Sequence, residues 1–377
     1  MTPATLLDAA AIRRALALRD LSDPAQGPHA LQTLLADLRA ALTAAWGCEL
    51  RERREPPVVS LADNYDDLGY SPEGAARDAR YTRYLGPDTL LRTQTSALVP
   101  RLLRELAAAP PRDLLLVCPG LVYRRDAVDR LHTGEPHQVD LWRLRTGAPL
   151  GAADLREMIE LVVAALLPGW TWRANPAQHP YTRDGLEVEV RAGEEWVELG
   201  ECGLACPALL ERAGLDPART TGLATGLGLD RALMLRKGIP DIRLLRAGDP
   251  RVAAQLLDLA PYRPVSSQPA IRRDLSLAVA TGTSPEELGD RVRVTLGERA
   301  ESVEEVAVLA VTAADALPTA ARARIGIGPG QENVLLRLVL RHPVRTLTAV
   351  EANHLRDEVY AALHEGTAWE WSRGRGG

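Results

Sequence analysis

An arginine in the middle of the chain has the surroundings of an anion-binding site. Arg124 follows an apolar run, Leu114–Val117, that Pro119 and Gly120 interrupt, so the pattern predicts a strand, a turn and a second strand that ends at this arginine. A loop rich in glycine, proline and histidine follows, and it contains His132. An arginine fixed at the end of a strand can bind a phosphate through two parallel hydrogen bonds. The segment therefore predicts a phosphate-binding arginine beside a histidine-bearing loop.

The chain returns from that loop in a strand with one polar face. Gln138 and Asp140 stand two residues apart in the run QVDLW, and alternate side chains of a strand point to the same side. We expect both to face the pocket that Arg124 faces. From this segment alone, a surface hairpin with solvated charges is the alternative interpretation.

A glycine-rich stretch precedes a second candidate arginine. Residues 221–236 read TGLATGLGLDRALMLR, so three glycines lead into an amphipathic helix that carries Arg231 near its start. Glycines let the backbone approach a ligand closely, and the first turn of a helix favours anions. We therefore expect Arg231 to enter the same site from the start of the helix.

Composition excludes several kinds of site and compartment. Lys237 is the only lysine among 45 lysine and arginine residues, which excludes a P-loop lysine and argues against Schiff-base chemistry. The net charge of -5 gives no overall basic surface for nucleic acid. The four cysteines are dispersed without zinc-site spacing, as in a reducing cytosol. The sequence shows no secretory signal and no long apolar run, so we expect a cytoplasmic protein without membrane contact.

The order of the predicted elements indicates an α+β protein. Leucines at helical spacing predict a helix over 28–46. Downstream, strands connected mostly by hairpins are interleaved with helices, which favours a mainly antiparallel sheet with helices on one face. Strands are predicted near 58–61, 90–93, 114–125, 137–145, 186–191 and 195–200, and helices near 97–108, 152–167, 206–213 and 229–237.

A proline-rich segment, PYRPVSSQP, divides the chain. The prediction is an N-terminal helical region at 1–55, a catalytic-type domain at 56–260, a linker at 261–269 and a C-terminal domain at 270–377. In the last part the pattern predicts strands at 271–279, 303–311 and 334–340 and helices at 285–297 and 348–364.

Five motifs, in order along the chain, resemble those of class II aminoacyl-tRNA synthetases and specifically of the phenylalanyl-tRNA synthetase alpha chain. The family patterns read LLRTHTS, G-R-V-[YF]-R…H…FHQ-x-E-G, F-P-F, W-x-E-x-x-G-C-G and G-x-G-x-x-R-x-x-M-x-x-x-G-I-P-D-I-R. The counterparts here are LLRTQTS at 90–96, GLVYRRD and HTGEPHQVD within 120–140, HPY at 179–181, WVELGECG at 196–203 and GLGLDRALMLRKGIPDIR at 226–243. The resemblance covers roughly residues 60–370.

This resemblance implies a fold and a set of partners. The fold class would be α+β, with the class II synthetase antiparallel sheet, helices and a small C-terminal ferredoxin-like α+β domain that binds the anticodon. That domain is fused here to the alpha-type domain, as in the single-chain enzymes of the family. No beta chain would then be required, and the protein would be a monomer or a homodimer. The implied substrates are ATP with Mg²⁺, an amino acid and tRNA.

The resemblance also implies the residues that contact ATP. Arg124 would hold the α-phosphate and the substrate carboxylate, Arg231 would contact the γ-phosphate, and Glu198 would carry the Mg²⁺. Attack of a carboxylate on an α-phosphate builds charge that cations and a metal must offset. The expected ATP-binding residues are Arg124, Asp126, His132, Pro136, Glu198 and Arg231, of which Arg124, His132 and Arg231 are the expected catalytic ones. Asp126 stands where the family has glutamate, and Pro136 stands where an aromatic would stack on adenine.

The amino-acid end of the pocket departs further from the family. The expected amino-acid-binding residues are Gln94, Ser96, Gln138, Asp140, His179, Tyr181 and Ala224. Gln94 replaces a histidine that helps to hold the substrate's amino group, and Asp140 replaces a glutamate. His179 and Tyr181 replace the two phenylalanines that pack on a phenyl ring, whereas Ser96, Gln138 and Ala224 are kept.

Two explanations of these departures stay open, because the chain contains no phenylalanine at all. General avoidance of phenylalanine would force the changes at His179 and Tyr181, but it cannot produce Gln94 or Asp140. A polar pocket leaves buried groups unpaired against a phenyl ring, so we expect a substrate other than free phenylalanine. The sequence thus predicts a ligase that forms an aminoacyl-adenylate and transfers it to tRNA. Transfer to a different acceptor, or a catalytically silent protein that binds tRNA or an amino acid as a regulator, is the alternative.

Overall fold

The computed structural model describes residues 6–79, 81–265 and 269–369, and these divide into two compact units. The first unit comprises the described residues within Met1–Arg124, Glu135–Pro240 and Ala254–Tyr262. The second comprises those within Arg125–Gly134, Asp241–Ala253 and Arg263–Gly377. The predicted domain boundaries stay a prediction, and residues 266–268 of the predicted linker lie outside the described residues.

The first unit contains six α-helices and ten strands among its described residues. The helices are α1 (Ala9–Leu16), α2 (Ala30–Trp46), α3 (Val99–Ala107), α4 (Ala152–Leu166), α5 (Pro207–Arg212) and α6 (Leu229–Lys237). The strands are β1 (Glu49–Glu52), β2 (Val58–Ser60), β3 (Tyr84–Gly86), β4 (Thr89–Leu91), β5 (Asp113–Leu121), β6 (His137–Thr146), β7 (Trp172–Pro176), β8 (Thr182–Ala192), β9 (Glu195–Ala205) and β10 (Thr220–Gly228).

Seven of these strands form one sheet in the order β1-β5-β6-β10-β9-β8-β7. β1 pairs with β5 in parallel, and every other neighbouring pair in this sheet is antiparallel. A smaller antiparallel sheet has the order β2-β4-β3. The predicted α+β class with a mainly antiparallel sheet is therefore confirmed.

Helix α2 shows why the apolar spacing predicted it correctly. Its buried face includes Leu31, Leu35 and Leu42, which recur at helical intervals. His29 caps the start by accepting a hydrogen bond from the backbone N–H of Leu31, and Gly47 ends the helix in the left-handed conformation with φ of 59°. Both ends of the helix are thus encoded locally.

The alternation of β6 determines which residues reach the site. Trp142 and Leu144 lie on one face of the strand, in a buried cluster with leucines of α3 and α5 and with Ala224 of β10. Because side chains alternate along a strand, Asp140 and Gln138 continue the same face beyond that cluster. The apolar cluster thereby fixes the direction in which the two polar residues point.

The predicted turn at Pro119 and Gly120 is wrong. β5 runs through both residues, which pair with Val139 and Gln138 of β6. β1 pairs with β5 only as far as Val117, so Pro119 lies on the unpaired edge, where its missing N–H costs no ladder bond. A Cβ at Gly120, where φ is 152°, would lie 2.2 Å from Nη2 of Arg92, so glycine makes room for that guanidinium.

Strand β10 is missing from the sequence prediction, which treated its glycines as a lead into α6. The strand occupies a central position between β6 and β9. A Cβ on Gly200 of β9 would lie 2.1 Å from the carbonyl oxygen of Gly226 in β10. Glycine here permits close packing of strand on strand, a role that local propensity does not reveal.

The second unit contains a three-stranded antiparallel sheet of order β11-β13-β12. Its strands are β11 (Ile271–Ala280), β12 (Val303–Ala313) and β13 (Gln331–Leu340), and its helices are α7 (Pro250–Ala253), α8 (Pro285–Leu296), α9 (Thr319–Ile325) and α10 (Ala349–Leu363). Apolar residues of the sheet, α8 and α10 form one buried cluster. The strands and the helices α8 and α10 match the elements predicted for this part of the chain.

Among the described residues, none of the helices has the length and apolar character needed to cross a membrane.

Candidate functional site

A buried carboxylate lies at the centre of the predicted amino-acid site. Asp140 is 3% exposed, and its Oδ2 accepts hydrogen bonds of 2.9 Å from the hydroxyls of both Thr95 and Ser96. Its Oδ1 accepts a bond of 3.2 Å from Nε1 of Trp142. Burial raises the pKa of Asp140, and the three donors act in the opposite direction. Among the described residues, no arginine or lysine forms an ion pair with this carboxylate.

The sheet register places Asp140 in a row of residues that share one face. Reading from β6 to β8, the row is Asp140, Gly226, Glu201 and Glu187. Gly226 has no side chain, so only backbone atoms of this row lie between Asp140 and Glu201. Because neighbouring strands are about 4.8 Å apart, the backbones of Asp140 and Glu201 are roughly 10 Å apart.

Gln94 is held by two neighbours that the sequence prediction did not include. Its amide nitrogen donates to the carbonyl of Asn64 at 3.1 Å, and its amide oxygen accepts from the Tyr70 hydroxyl at 3.1 Å. Burial raises the pKa of Tyr70 to about 12, so this phenol stays protonated and acts as a donor. Gln94 is therefore fixed in the site by contacts to the segment that precedes β3.

Aromatic rings surround the side-chain end of the pocket. The ring of Tyr181 lies 6.2 Å from Trp142, 6.2 Å from Tyr70 and 5.6 Å from His179, measured between centroids. Burial raises the pKa of Tyr181 well above its usual value. Tyr181 packs against the same apolar cluster as Ala224, so these two predicted pocket residues share one environment.

His179 and Glu201 form an ion pair at this end of the pocket. Nε2 of His179 lies 2.6 Å from Oε2 of Glu201. The hydrogen bond to Glu201 raises the pKa of His179, while burial acts against that change. Glu201 is not among the site residues predicted from the sequence, although the pattern W-x-E-x-x-G-C-G has glycine at this position. That departure from the pattern was a usable signal.

Arg231 and Glu198, both expected at the phosphates, contact each other. Nη1 of Arg231 lies 3.2 Å from Oε2 of Glu198 and 3.1 Å from the Glu198 backbone carbonyl oxygen. Arg231 projects from the first turn of α6, which directly follows β10, and Glu198 lies on the neighbouring β9. The strand order thus explains why residues 33 positions apart along the chain meet.

Glu198 is the expected magnesium ligand, and its surroundings fit a cation that arrives with ATP. Within the described ranges, no group of three or more histidine, cysteine, aspartate or glutamate residues could hold a metal ion. Mg²⁺ is commonly bound by one or two carboxylates together with substrate phosphates. A single carboxylate is therefore compatible with a Mg²⁺–ATP complex.

Arg124 follows the end of β5 and is fixed through its backbone. It forms an isolated antiparallel bridge with Thr82, and its carbonyl accepts a hydrogen bond of 3.2 Å from Arg83. Pro136, the expected adenine neighbour, accepts a backbone bond of 2.9 Å from Val122, two residues before Arg124. The chain before Arg124 and the chain before β6 are thereby tied together in the first unit.

The other two expected ATP residues, Asp126 and His132, belong to the second unit. The ring nitrogen Nδ1 of His132 lies 2.7 Å from Oδ2 of Asp129. The backbone carbonyl of Asp126 accepts a bond of 2.7 Å from Arg293 of α8. Their expected roles at ATP stay predictions.

A buried histidine next to the site was also overlooked as a positioning residue. His137 begins β6, and its Nδ1 lies 2.8 Å from Oδ1 of Asp230 in the first turn of α6. Its Nε2 accepts a bond of 2.9 Å from the backbone of Leu21. This contact ties together the two elements that carry Gln138 and Arg231, and each partner directly precedes one of those residues in sequence.

A family model described as the tRNA synthetases class II core domain (F) matches residues 19–256. The phenylalanine--tRNA ligase alpha subunit of Prochlorococcus marinus (strain MIT 9313) is 38% identical over 209 residues, which are 55% of this chain and 61% of that protein. The corresponding subunit of Nocardia farcinica (strain IFM 10152) is 35% identical over 230 residues, 58% of this chain and 64% of that protein. The chain thus spans less than two thirds of the length of these relatives.

The pyrrolysyl-tRNA synthetase of Desulfitobacterium hafniense is a similar solved structure, with 20% identity, a TM-score of 0.47 and coverage of 58% of this chain and 73% of that one. A likeness at that level adds nothing to the family assignment, which rests on the family model over more than half of the chain. The chain belongs to the family of class II tRNA synthetase core domains of the F type.

Proposed function

We propose that this protein activates an amino acid other than plain phenylalanine as an aminoacyl-adenylate and transfers it to tRNA. In the first step the substrate α-carboxylate attacks the α-phosphorus of ATP, and pyrophosphate leaves with the electron pair of the broken bond. In the second step a ribose hydroxyl of the tRNA 3′ end attacks the carbonyl carbon, and AMP leaves. The observation that carries the proposal is Asp140, a buried carboxylate held by three neutral donors, within a chain that belongs to this family.

Asp140 has the properties of a binding group for an α-ammonium. Its donors are the uncharged groups of Thr95, Ser96 and Trp142, so its negative charge is not neutralised by an arginine or lysine among the described residues. A buried charge is costly unless it is paired. A substrate ammonium would supply that pair and would orient the α-carboxylate towards ATP.

The arginines would offset the charge that develops on the phosphates. Arg124 would hold the α-phosphate, and Arg231 would move from Glu198 to the γ-phosphate when ATP and Mg²⁺ bind. Mg²⁺ supplies positive charge between the phosphate oxygens. Glu198, released from Arg231, would hold that cation, because its side chain is half exposed and can reach a ligand.

Transfer to tRNA by a single chain is the finer part of the proposal. The three-stranded sheet of the second unit, with α8 between β11 and β12 and α10 after β13, is compatible with the ferredoxin-like anticodon-binding domain that the sequence predicts. A domain of this kind within the same chain would make a beta chain unnecessary. Aminoacylation of total tRNA by the purified chain alone would support this part, and its absence alongside active adenylation would favour another acceptor.

Amino-acid-dependent exchange of pyrophosphate into ATP tests the adenylation step without requiring an acceptor. The panel should include the proteinogenic amino acids and non-proteinogenic aromatic ones. We expect exchange with at least one amino acid and its loss in Arg124→Ala. Arg191→Ala is the matched control, because Arg191 is exposed and its side chain contacts the turn next to it, through Glu194 at 3.7 Å and the Gly193 carbonyl at 3.2 Å. If no amino acid supports exchange in the unaltered protein, the regulator interpretation replaces this one.

A further inference from the structure

Two of the departures from the family at the side-chain end of the pocket contact each other. His179 stands where the family pattern has phenylalanine, and Glu201 stands where it has glycine, yet Nε2 of His179 lies 2.6 Å from Oε2 of Glu201. Of these two changes, avoidance of phenylalanine would explain only the one at residue 179. It does not explain the introduction of a carboxylate at residue 201 that matches it in charge and position.

We propose that Glu201, oriented by His179, is the residue that selects the substrate side chain, and that the preferred amino acid carries an N–H or O–H donor at the end of that side chain. This inference rests on the proposed amino-acid-activating function and adds the chemical class of its substrate.

The sheet register gives the direction in which the substrate would lie. Asp140 and Glu201 share one row and one face, with Gly226 between them. An amino acid whose α-ammonium binds Asp140 can extend its side chain over Gly226 towards Glu201. The backbones on the two sides are roughly 10 Å apart, which leaves room for a side chain of several atoms between the two carboxylates.

Glu201 retains capacity for a further hydrogen bond. Within the part of the chain that the structure describes, the ring of His179 is the one hydrogen-bond or ion-pair partner of its carboxylate, and its side chain is 38% exposed. A carboxylate can accept several hydrogen bonds, and His179 occupies only one oxygen. The other oxygen is therefore available to a donor on a ligand in the pocket.

The charges around Glu201 also favour a donor and not an acceptor. Glu187 lies directly opposite Glu201 across β8 and β9, and like charges in opposite positions are unfavourable. Burial first, and then the nearby carboxylates of Glu198 and others, raise the pKa of Glu187. A ligand acceptor such as a methoxy oxygen would add to this repulsion, whereas a donor reduces it.

A phenyl ring would fit this pocket poorly for a related reason. It would cover the Glu201 carboxylate without offering a hydrogen bond, and a covered charge without a partner is costly. Sites built to bond a polar side chain can reject the unfunctionalised analogue by roughly 10⁴-fold. We expect a smaller but clear discrimination here, about 10²-fold or more in kcat/KM, because Glu201 keeps His179 as a partner in either case.

The test is a pyrophosphate exchange assay with the full chain and a graded set of substrates. Tyrosine and 4-aminophenylalanine carry neutral donors, lysine carries a cationic donor, and 4-methoxyphenylalanine carries an acceptor of similar size to the neutral donors. Phenylalanine carries neither group. A donor substrate should give the highest kcat/KM, and lysine compared with tyrosine shows whether the donor is cationic or neutral.

Variants at residue 201 connect that ranking to this side chain. Glu201→Gly restores the family residue and should reduce the preference for the donor substrate over phenylalanine at least tenfold. Glu201→Gln keeps the shape and one acceptor oxygen, so it should lower the preference less for a neutral donor than for a cationic one. Glu194→Gln is the matched control on the same hairpin, where Glu194 is almost fully exposed. If Glu201→Gly does not fold, the isosteric Glu201→Gln provides the comparison.

The outcomes separate this inference from the function on which it rests. Activation of phenylalanine or 4-methoxyphenylalanine at least as well as every donor substrate would overturn the inference and leave an amino-acid-activating enzyme. An unchanged substrate ranking in both Glu201 variants would overturn it in the same way. Exchange with no amino acid at all would defeat the proposed function and this inference with it.

Discussion

The two ends of the site in the first unit relate differently to the family patterns. At the end expected to bind phosphates, Arg124, Glu198 and Arg231 have the residue types of the family. At the end expected to bind the amino-acid side chain, His179 and Glu201 do not, and they form an ion pair with each other. Under the proposed function, the difference would mean that separate groups of the first unit carry the reaction and the choice of substrate.

The reason for this separation is electrostatic. Any amino acid attacks the same α-phosphate and expels the same pyrophosphate, so the charges that must be offset are the same for every substrate. The side-chain end takes no part in that charge balance. It can change from apolar to polar without altering the step that it serves.

We expect the greatest loss of activity from a change at the end of the site that is expected to bind phosphates. Arg231→Ala should lower kcat by about 10²-fold to 10³-fold, or about 3–4 kcal/mol of barrier, for every amino acid tested, because a cation at the phosphates is lost. Pyrophosphate exchange with two or more substrates measures it. If Arg231→Ala lowered kcat for one substrate only, the proposed division between residues for the reaction and residues for substrate choice would be wrong.

Asp140 should affect every substrate through binding. Asp140→Asn keeps the shape but removes the charge expected to hold the α-ammonium, so KM for each amino acid should rise tenfold or more. Asp140→Ala also leaves the donors of Thr95, Ser96 and Trp142 without their acceptor, at a cost of about 1–3 kcal/mol in the free energy of unfolding. Exchange kinetics and urea unfolding measure the two effects. A change in KM for only some amino acids would show that Asp140 takes part in the choice of the substrate side chain.

A substitution at Gly120 tests the stability of the first unit, which carries both ends of the site. Gly120→Ala should lower the free energy of unfolding by about 1–3 kcal/mol, because the backbone has φ of 152° and the added Cβ would lie 2.2 Å from Nη2 of the buried Arg92. Gly86→Ala is the control, since a Cβ there meets nothing within 4 Å. Equal stability of the two variants in urea would show that Arg92 moves aside without cost.

The smallest expected effect is the pH dependence that His179 contributes. The pKa of His179 is raised above 6.5 in the folded protein, first through Glu201 and against the effect of burial. Its stabilising contribution is therefore complete below pH 6.5 and is lost as the pH rises through the folded value. His179→Gln should flatten the fall in Tm above pH 6.5, whereas His354→Gln, at an exposed position of α10, serves as the control. If Tm depends on pH identically in the unaltered protein and in His179→Gln, the ion pair of His179 with Glu201 does not contribute to stability in solution.

Local patterns predicted most of the architecture but not all of the site. Leucine spacing predicted α2, and alternation placed Gln138 and Asp140 on one face of β6, because both depend on short-range periodicity. β10 was missed because its glycines serve packing between strands. Periodicity could not predict the contact of His179 with Glu201, because that contact depends on the register of β8 and β9. The glycine in the family pattern did, however, mark residue 201 as a departure.

A ratio of two kcat/KM values tests most directly whether different residues carry the reaction and the choice of substrate. The kcat/KM for the preferred amino acid divided by that for phenylalanine should be measured in the unaltered protein, in Arg231→Ala and in Glu201→Gly. We predict that Arg231→Ala lowers both values and leaves the ratio within about twofold, whereas Glu201→Gly shifts the ratio at least tenfold towards phenylalanine. A ratio that shifts in Arg231→Ala, or that stays constant in Glu201→Gly, would contradict the account.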